Sequence, residues 1–467
     1  MTSTTQLLPA PGIAPELEPA FRPAVLFNRA FRALTAATPG SPAVGLVLEQ
    51  ADGSRFRFET AVLPEAHPRS SDNLFFLERM IKFLLWSRGG HRLYLAAPAS
   101  LTRRIREHFA TTSTGKFDAE IMGSRIYEQP FEVVACSPDE LPAPCETTKP
   151  LGRHLKGCRI GFDLGASDRK VAALIDGEVV FSEESPWSPV GETDPQWHFD
   201  QIMDSLKQGA RHLPRVDAIG GSSAGVIVSN RIKVASLFRG VPRPLFETRV
   251  KNIFLELKAA WKGIPFEVVN DGEVTALAGS MSLGVNSLLG VAMGSSEAVG
   301  YVTPEGNITS WLNELAFAPV DCNPEAVADE WSGDRGVGAL YFSQQAVGRL
   351  VGKAGIPLPT EMTLPVRLEQ VQALMKNADP RAARIYRTIG TYLGYTIAHY
   401  ADYYALQHLL ILGRVTSGYG GTLLLDTAKA VLEQEFPELA EQVHIHIPDE
   451  KMKRHGQAVA AASLPMA

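Results

Sequence analysis

Hydrophobic and polar positions follow two different periods along this chain, and together they predict strands that alternate with helices. An Asp52-Gly53 pair joins two stretches of alternating apolar and polar residues, which is typical of a β-hairpin. Residues 73–87 instead repeat apolar side chains at helical spacing. Short apolar runs at 266–269 and 409–412 predict buried strands, so the pattern indicates an α/β fold.

Proline-rich stretches divide the chain into segments. Residues 1–42 are rich in Pro, Ala and Thr, and we expect them to lie extended over the surface. Residues 43–136 combine short strands with two helices and predict a small accessory α/β domain. The prolines of residues 137–150 disfavour regular structure, so they mark a linker to the rest of the chain.

The stretch from Cys158 to Ile175 has the pattern of a strand, a tight turn and a second strand. Asp163 stands at the bend, and the small residues Gly165 and Ser167 would let backbone N–H groups approach an anion. Asp163 would repel a phosphate unless a cation lay between them, and Mg²⁺ is commonly held by one or two carboxylates together with substrate phosphates. An ordinary surface turn would use the same residues, so this pattern alone leaves both interpretations open.

Residues 288–302 repeat the pattern of strand, small residues and strand. The turn contains Gly294, Ser295 and Ser296. Two hairpins of this kind predict two related lobes that face each other across a cleft. We place the first lobe at residues 151–285 and the second lobe at residues 286–467.

Other strands also end in small or polar residues. The strand that ends near Ser223 delivers small polar side chains to the carboxyl end of a sheet, where ligands bind in open α/β proteins. Asn270 and Asp271 follow another strand; they could cap the next helix, and they would equally suit a general base and its positioning partner. A glycine-rich turn begins at Gly413, and it could admit a flat ring such as adenine or form a flexible loop.

The composition limits the possible partners. The 467 residues carry a formal charge of −6, so neither nucleic acid nor an anionic membrane is expected as the main partner. The four cysteines include no CxxC pair, which favours a reducing compartment and argues against a structural zinc site. The sequence opens without a leader pattern and has no apolar run of membrane-spanning length, so we predict a cytoplasmic protein.

Five motifs in a fixed order make the chain resemble the ROK family of sugar kinases and repressors, within the sugar kinase and actin-like ATPase superfamily. The motifs read DLGAS, GGSSAG, VVNDGEVTALAG, GVAMGSSEAVGYV and ILGRVTSGYGG, and the resemblance covers about residues 157–464. It implies an α/β fold of two ribonuclease H-like, actin-like ATPase lobes around a cleft, with MgATP on one side and a sugar on the other. The smaller N-terminal α/β domain would be an addition to this fold.

The resemblance also implies roles for individual residues. Asp163 would help to hold Mg²⁺ through water, and Asp271 would be the catalytic base that accepts the proton of the attacking hydroxyl. Gly413 would belong to the adenosine loop. The other residues on the nucleotide side would be Gly165, Ser167, Gly294, Ser295 and Ser296. The residues on the substrate side would be Ser223, Asn230, Asn270 and Glu314.

Two positions depart from the family pattern. The family often carries a Gly-Glu-x-Gly-His element, and here Glu314 is kept while Phe317 stands where His would be. No cysteine occurs in residues 332–344, where the family's zinc cluster would fall, and Ala339 replaces the glutamate that follows that cluster. We therefore expect no zinc, and an unusual sugar, a polyol or a cyclitol as the ligand instead of a plain hexose such as glucose.

Two classes of function stay open from the sequence. An ATP-dependent kinase that phosphorylates a hydroxyl of a sugar or sugar-like polyol is favoured, because Asp163 and Asp271 are both present. The alternative is a non-catalytic sugar-binding sensor or regulator of the ROK type, or another actin-like ATPase. We find no helix-turn-helix pattern of the kind that repressor relatives carry. Residues 43–136 could form contacts in a homodimer or close the cleft.

Overall fold

The fold is known from a computed structural model that describes residues 8–145, 151–235, 237–359, 361–448 and 450–466. These residues form three sheets and a separate two-stranded ribbon, with helices packed around them. The last part of the predicted linker, residues 146–150, lies outside the described residues. Among the described residues, no helix is both long and apolar enough to cross a membrane.

Residues 8–145, which we call the N-terminal unit, contain a four-stranded sheet in the order β2-β1-β3-β4. Strands β1 and β2 form the predicted antiparallel hairpin, whereas β3 and β4 pair in parallel. The predicted α/β character of this unit is therefore confirmed. Its elements are α1 (Ala24–Ala37), β1 (Ala43–Glu49), β2 (Arg55–Ala61), α2 (Asp72–Arg88), β3 (Arg92–Ala96), α3 (Ala99–Thr111), α4 (Ser113–Glu120) and β4 (Glu132–Ala135).

The prediction that residues 1–42 lie extended over the surface is wrong for helix α1. Phe27 and Phe31 are spaced one helical turn apart, and both are fully buried. The Phe31 ring stacks on Phe76 of α2 with 4.1 Å between ring centroids. Burial of these aromatic rings stabilises a helix that the prolines and alanines of the segment do not by themselves predict.

The first lobe is built on a five-stranded sheet in the order β11-β8-β5-β6-β7. Strands β5, β6 and β7 form an antiparallel meander, and β8 and β11 extend the sheet in parallel with β5. Strands β9 and β10 form a separate antiparallel ribbon. The elements are β5 (Cys158–Leu164), β6 (Asp168–Ile175), β7 (Glu178–Pro186), α5 (Pro195–Ala210), β8 (Ala218–Ser223), β9 (Gly225–Val228), β10 (Arg231–Ala235), α6 (Arg243–Thr248), α7 (Ile253–Ala260), β11 (Phe266–Asn270) and α8 (Asp271–Leu283).

The second lobe repeats this plan in a four-stranded sheet with the order β13-β12-β14-β15. An antiparallel hairpin again comes first, and parallel strands then extend its other edge. Two sheets of the same plan agree with the two related lobes predicted from the hairpins. The elements are β12 (Leu288–Met293), β13 (Glu297–Val302), α9 (Gln344–Lys353), α10 (Leu364–Lys376), α11 (Pro380–Ala401), β14 (His408–Leu412), α12 (Gly418–Glu435), α13 (Pro437–Gln442), β15 (His444–His446) and α14 (Glu450–Ala462).

Helix α14 crosses back to the sheet of the first lobe. A Cβ atom at Gly161 on β5 would lie 1.8 Å from the Ala458 carbonyl oxygen, and one at Gly220 on β8 would lie 1.7 Å from that of Ala461. The helix can approach this closely only because both strand positions are glycine. The structure thus differs from the predicted division, which assigned all of residues 286–467 to the second lobe.

The N-terminal unit shares one continuous hydrophobic core with the second lobe. Phe21 packs on Tyr392 of α11 at a ring-centroid distance of 4.8 Å, and Phe83 packs on Tyr403 at 4.3 Å. All four of these side chains lie inside the structure or pack against its core. The segment predicted as a separate accessory domain is therefore joined to the second lobe through buried aromatic contacts.

Candidate active site

The first predicted phosphate hairpin is the turn between β5 and β6. Asp163 lies one residue before the end of β5 and pairs across the hairpin with Lys170. The Gly165 N–H donates to the Asp168 carbonyl oxygen at 2.9 Å, and the Ser167 hydroxyl donates to the Asp168 carboxylate at 2.9 Å. These bonds fix the conformation of the turn, and the Gly165 N–H donates within the turn instead of facing a ligand.

Asp163 is buried, with 5% of its surface exposed. Burial raises the pKa of Asp163, while the Ser222 hydroxyl and the Lys170 ammonium act in the opposite direction. The Lys170 Nζ lies 4.0 Å from the Asp163 carboxylate and 3.4 Å from that of Asp168. Sequence reasoning missed Lys170, although the hairpin register places it directly opposite Asp163.

Parallel pairing brings the second carboxylate to the same edge of the sheet. Leu164, which follows Asp163, pairs with Ser223, and Ser223 pairs with Asn270 at the end of β11. Asp271 is the next residue and the first of α8. Burial and then the charge of Asp163 raise the pKa of Asp271 to about 6. The two predicted acids are therefore brought together.

Asn270 caps helix α8. Its side-chain oxygen accepts from the Gly272 N–H at 2.6 Å, and its Nδ2 donates to the Gly225 carbonyl oxygen at 2.9 Å. The capping interpretation of the Asn-Asp pair thus applies to Asn270. Asp271 keeps part of its surface exposed beyond the cap.

The start of α8 packs directly against strand β13 of the second lobe. A Cβ atom at Gly300 would lie 2.2 Å from the Gly272 carbonyl oxygen, and one at Gly272 would lie 2.7 Å from that of Val299. No side chain fits between the two backbones, so both positions require glycine. This contact joins the helix that begins with Asp271 to the strand that follows the second hairpin turn.

The second hairpin turn lies beside the predicted adenosine loop. The Gly294 N–H donates to the Ser296 carbonyl oxygen at 3.0 Å, and Ser295 and Ser296 are exposed. Gly413 has a φ of +105°, and a Cβ atom there would lie 2.4 Å from the Met293 carbonyl oxygen at the end of β12. The residues predicted for the nucleotide side of the second lobe therefore form one continuous surface.

Glu314 carries the carboxylate next to Asp271. Burial, followed by the Asp271 charge, raises the pKa of Glu314 to about 7. The Glu314 charge in turn contributes to raising the pKa of Glu273 and of Glu297, which burial, as the main cause, brings to about 8 in each case. Glu297 accepts a hydrogen bond from the Tyr400 hydroxyl at 3.0 Å. The five acids are therefore neighbours in charge: Asp163 acts on Asp271, Asp271 acts on Glu314, and Glu314 acts on both Glu273 and Glu297.

Sequence reasoning missed Glu273 and Glu297. Glu273 lies on the first turn of α8, where an acid is ordinary and so gives no separate signal. Glu297 is the single charged residue of an otherwise apolar strand, and a charge in such a strand could have indicated a special role.

A cavity of about 610 Å³ is lined by two of these acids, Glu273 and Glu314, whereas Asp163, Asp271 and Glu297 are not among its lining residues. Of the residues predicted to bind substrate, Asn230, Asn270 and Glu314 line it, and Glu273 lines it as well. Ser223 is fully buried and does not line it. Three parts of the chain contribute the walls: residues 226–231 of the first lobe, residues 309–312 of the second lobe, and residues 50–52 and 126–128 of the N-terminal unit.

The Asn230 amide is already engaged by strand β11. Its Nδ2 donates to the Phe266 carbonyl oxygen at 3.0 Å, and its Oδ1 accepts from the Val268 N–H at 2.6 Å. These bonds fix the β9-β10 ribbon to the edge of the first-lobe sheet. A direct bond from Asn230 to a ligand stays a prediction.

Phe317, one of the two departures from the family pattern, is part of an aromatic cluster. Its ring centroid lies 4.5 Å from that of Trp86 in the N-terminal unit and 5.1 Å from that of Trp331. An apolar ring suits this contact better than an imidazole, because packing on Trp86 buries it away from water. Phe317, which stands where the family pattern has His, is thus in direct contact with the added N-terminal unit.

The other departure, Ala339, lies in a short 3₁₀ turn beside the Glu297 carboxylate. A Cβ atom at the neighbouring Gly338 would lie 2.1 Å from Glu297 Oε2. A carboxylate from β13 therefore lies next to the position where the family pattern has a glutamate.

No protein-family model and no curated protein sequence matches the chain. Among solved structures, a ROK hexokinase from Thermus thermophilus is similar with a TM-score of 0.52 at 18% identity, over 66% of this chain and 97% of the hexokinase. A ROK family transcriptional regulator, a homologue of the E. coli MLC protein, is similar with a TM-score of 0.51 at 19% identity, over 79% of this chain and 89% of the regulator.

These similarities cover nearly the full length of both solved proteins, and the hexokinase leaves an extra region of this chain unmatched. Identities this low are evidence of a shared fold and carry no information about the reaction. The resemblance seen in the sequence motifs is confirmed at the level of the fold. The chain has the two-lobed α/β fold of these two solved ROK proteins, with additional structure beyond it.

Proposed function

We propose that this protein is an ATP-dependent carbohydrate kinase that transfers the γ-phosphate to a hydroxyl of a sugar or sugar-like polyol. The observation that carries the proposal is the placement of Asp163 and Asp271 together at the carboxyl edge of the first-lobe sheet, beside a cavity lined by Asn270 and Glu314. The cavity of about 610 Å³ is within the usual range for small-molecule sites.

Asp271 is the proposed general base. Its pKa of about 6 leaves it ionised at neutral pH, yet close enough to neutrality to take a proton from a hydroxyl in the transition state. It is fixed at the first turn of α8 next to Asn270, which lines the cavity, so the reacting hydroxyl would have to lie at that edge of the cavity. Asn270 and Glu314 would orient that ligand.

Asp163 is the proposed contact to Mg²⁺ through water. A buried carboxylate at the end of a strand fits this ion, since Mg²⁺ retains several waters and takes only one or two carboxylates from the protein. When bound, Mg²⁺ would offset the negative charge of the phosphates. Lys170, 4.0 Å from Asp163, would add a second positive charge at the same turn.

The residues on the second-lobe side would bind the nucleotide. Gly294, Ser295 and Ser296 would lie along its phosphates, and Gly413 would lie at the adenosine. Ser167 and Gly165 would form the opposite side from the first hairpin. Phosphoryl transfer depends mainly on positioning and charge neutralisation, which this set of groups would supply.

A non-catalytic sugar sensor is the second candidate. It is favoured by Phe317 at the position of the family's histidine and by the structural likeness to a ROK transcriptional regulator. A sensor would bind the carbohydrate in the same cavity without transferring phosphate.

Substitution Asp271→Asn tests the proposed kinase. We expect kcat to fall by roughly 10²- to 10⁴-fold, because the change removes the base while keeping the side-chain shape. ADP release would be followed against a panel of sugars, amino sugars and polyols, with nucleotide affinity measured separately and expected to stay unchanged.

The control is Asp200→Asn, which alters an exposed carboxylate on α5 of the same lobe and should leave activity unchanged. An Asp271→Asn enzyme of full activity would exclude Asp271 as the base. If the whole panel releases no ADP but some sugars raise the melting temperature, the sensor is the better description.

A further inference from the structure

The N-terminal unit supplies one wall of the candidate substrate cavity. Residues 50–52 follow strand β1, and residues 126–128 lie at the end of a π-helical segment that follows α4. Glu128 ends that segment with a φ of +55°, an uncommon left-handed conformation that directs the chain into the next turn. The cavity is thus bounded by three parts of the chain instead of by the two lobes alone.

Glu128 connects this wall to the first lobe. Its carboxylate lies 2.5 Å from Lys251 Nζ, 3.2 Å from Lys233 Nζ and 3.7 Å from the Arg231 guanidinium. Lys251 and then Lys233 hold the pKa of Glu128 below its usual value. All three cations belong to the first lobe, and two of them lie on the β9-β10 ribbon that lines the opposite side of the cavity.

The same unit also holds the second-lobe loop that carries Glu314. The Glu314 N–H donates to the Trp86 carbonyl oxygen at 2.9 Å, and the Asn313 N–H donates to that of Ser87 at 3.0 Å. The Gln50 side-chain amide donates to the Ser310 carbonyl oxygen at 3.0 Å. The C-terminal end of α2 therefore fixes the backbone from which Glu314 reaches the cavity.

We propose that the N-terminal unit is a third wall that limits the size of the ligand the cavity accepts, and that Glu128 keeps this wall closed against the first lobe. The proposal deepens the proposed function, on which it rests only for the identity of the ligand as a carbohydrate. Glu128 acts as a positioning residue here, since its carboxylate pairs with lysines instead of with the ligand.

Substitution Glu128→Ala tests the closure without any ligand or nucleotide. Thr309, a buried residue that lines the cavity, would be changed to Cys, and its labelling by a small and by a bulky thiol reagent would be followed by peptide mass spectrometry. In the Glu128→Ala background we expect the bulky reagent to react about fivefold faster, because three partly exposed ion pairs are lost together. The small reagent should change less.

The matched control is Glu120→Ala. Glu120 also belongs to the N-terminal unit and pairs with Arg125 at 2.6 Å, but this pair lies within the unit and touches neither lobe. Lys251→Met removes the main partner of Glu128 from the first-lobe side and should reproduce the effect of Glu128→Ala. Agreement between these two variants would exclude local misfolding of the N-terminal unit as the cause.

Equal labelling by the bulky reagent in the Glu128→Ala and Glu120→Ala backgrounds would overturn the proposal. The labelling assay contains no sugar and no ATP, so its result does not depend on whether the kinase screen succeeds. An active kinase whose labelling is unchanged by Glu128→Ala would refute the third wall but not the kinase. If the wall limits ligand size, disaccharides that leave the melting temperature of the parent protein unchanged should raise that of the Glu128→Ala protein.

Discussion

The N-terminal unit contacts the two lobes in physically different ways. Toward the second lobe it buries aromatic rings and an ion network, in which the Arg79 guanidinium forms two hydrogen bonds of 3.0 Å with the Asp334 carboxylate. Lys82 lies 3.0 Å from the same carboxylate and is 1% exposed. Each of these buried cations also has a carboxylate partner within the N-terminal unit, Glu78 for Arg79 and Asp118 for Lys82, and loss of the Asp334 contact would weaken this network at a substantial cost.

Toward the first lobe the unit pairs Glu128 with three cations, and Val226, Val228 and Val234 of that lobe pack on the shared apolar core. The Glu128 side chain is 33% exposed, and its partners range from 45% exposed for Arg231 to 19% for Lys251 and 6% for Lys233. Ion pairs in contact with water contribute little to stability, and dissolved salt weakens them. This interface should therefore cost less to open than the buried network toward the second lobe.

The difference predicts that the N-terminal unit would stay attached to the second lobe in any opening of the cleft. If the cleft opens, the break should occur along the Glu128 contacts and leave the aromatic core intact. Glu314 would move with the N-terminal unit, since its backbone is bonded to α2, whereas Asp271 would stay with the first lobe.

Of the changes that test the difference between the two interfaces, Asp334→Ala should lower the stability of the protein most. It removes one of the two carboxylates that each of the buried cations Arg79 and Lys82 contacts, so we expect the free energy of unfolding to fall by about 1.5–3 kcal/mol. Chemical denaturation followed by circular dichroism would measure the first unfolding transition.

The control for Asp334→Ala is Glu59→Ala, which removes an ion pair of 2.7 Å with Arg57 on the exposed strand β2. It should cost less than about 0.5 kcal/mol, as exposed pairs usually do. A similar loss in both variants would mean that the buried network does not hold the N-terminal unit to the second lobe.

Substitution Glu297→Gln should have an intermediate effect that depends on pH. Burial raises the pKa of Glu297 to about 8, well above its ordinary value of 4.5, so the folded protein keeps a proton that the unfolded chain releases. The resulting stability is fully present below about pH 4.5 and is lost as the pH rises through about 8. In this window the slope approaches about 1.4 kcal/mol per pH unit for one group.

The glutamine variant should flatten that part of the stability curve between pH 6 and pH 9, because it cannot ionise. Glu305→Gln, an exposed acid just after β13, is the control and should leave the slope unchanged. An unaltered slope in Glu297→Gln would show that Glu297 does not bind the proton assigned to it.

Local patterns were sufficient to predict both hairpins, the α/β class and the Asn-Asp pair. Asp163 and Asp271 stand out in the sequence as polar residues at a turn and at a strand end, whereas their roles rest on the family resemblance and stay predictions. The buried helix α1 was missed because its prolines and alanines outweighed the spacing of Phe27 and Phe31. In that segment the tertiary contacts decide the structure.

Contacts between distant segments could not be predicted from the sequence. Nothing near Glu128 indicates that Lys251 lies beside it, and α14 gives no local sign that it returns to the first-lobe sheet. The effect of the N-terminal unit on Phe317 is of the same kind, since Trp86 meets it only in the folded chain. Pairing of this sort depends on the whole fold and leaves no periodic signal.

Added salt should produce the smallest effect, and it should act on one interface only. Raising sodium chloride from about 0.05 M to about 0.5 M shortens the screening length to a few ångströms and weakens the Glu128 contacts, so amide hydrogen exchange in the β9-β10 ribbon should accelerate about twofold. Exchange in α2, which faces the buried Asp334 network, should stay the same because buried pairs are poorly screened. In Glu128→Ala the ribbon should already exchange faster and respond no further to salt. If the ribbon keeps its full salt response in the Glu128→Ala protein, charges other than Glu128 must form the contact that closes the cavity.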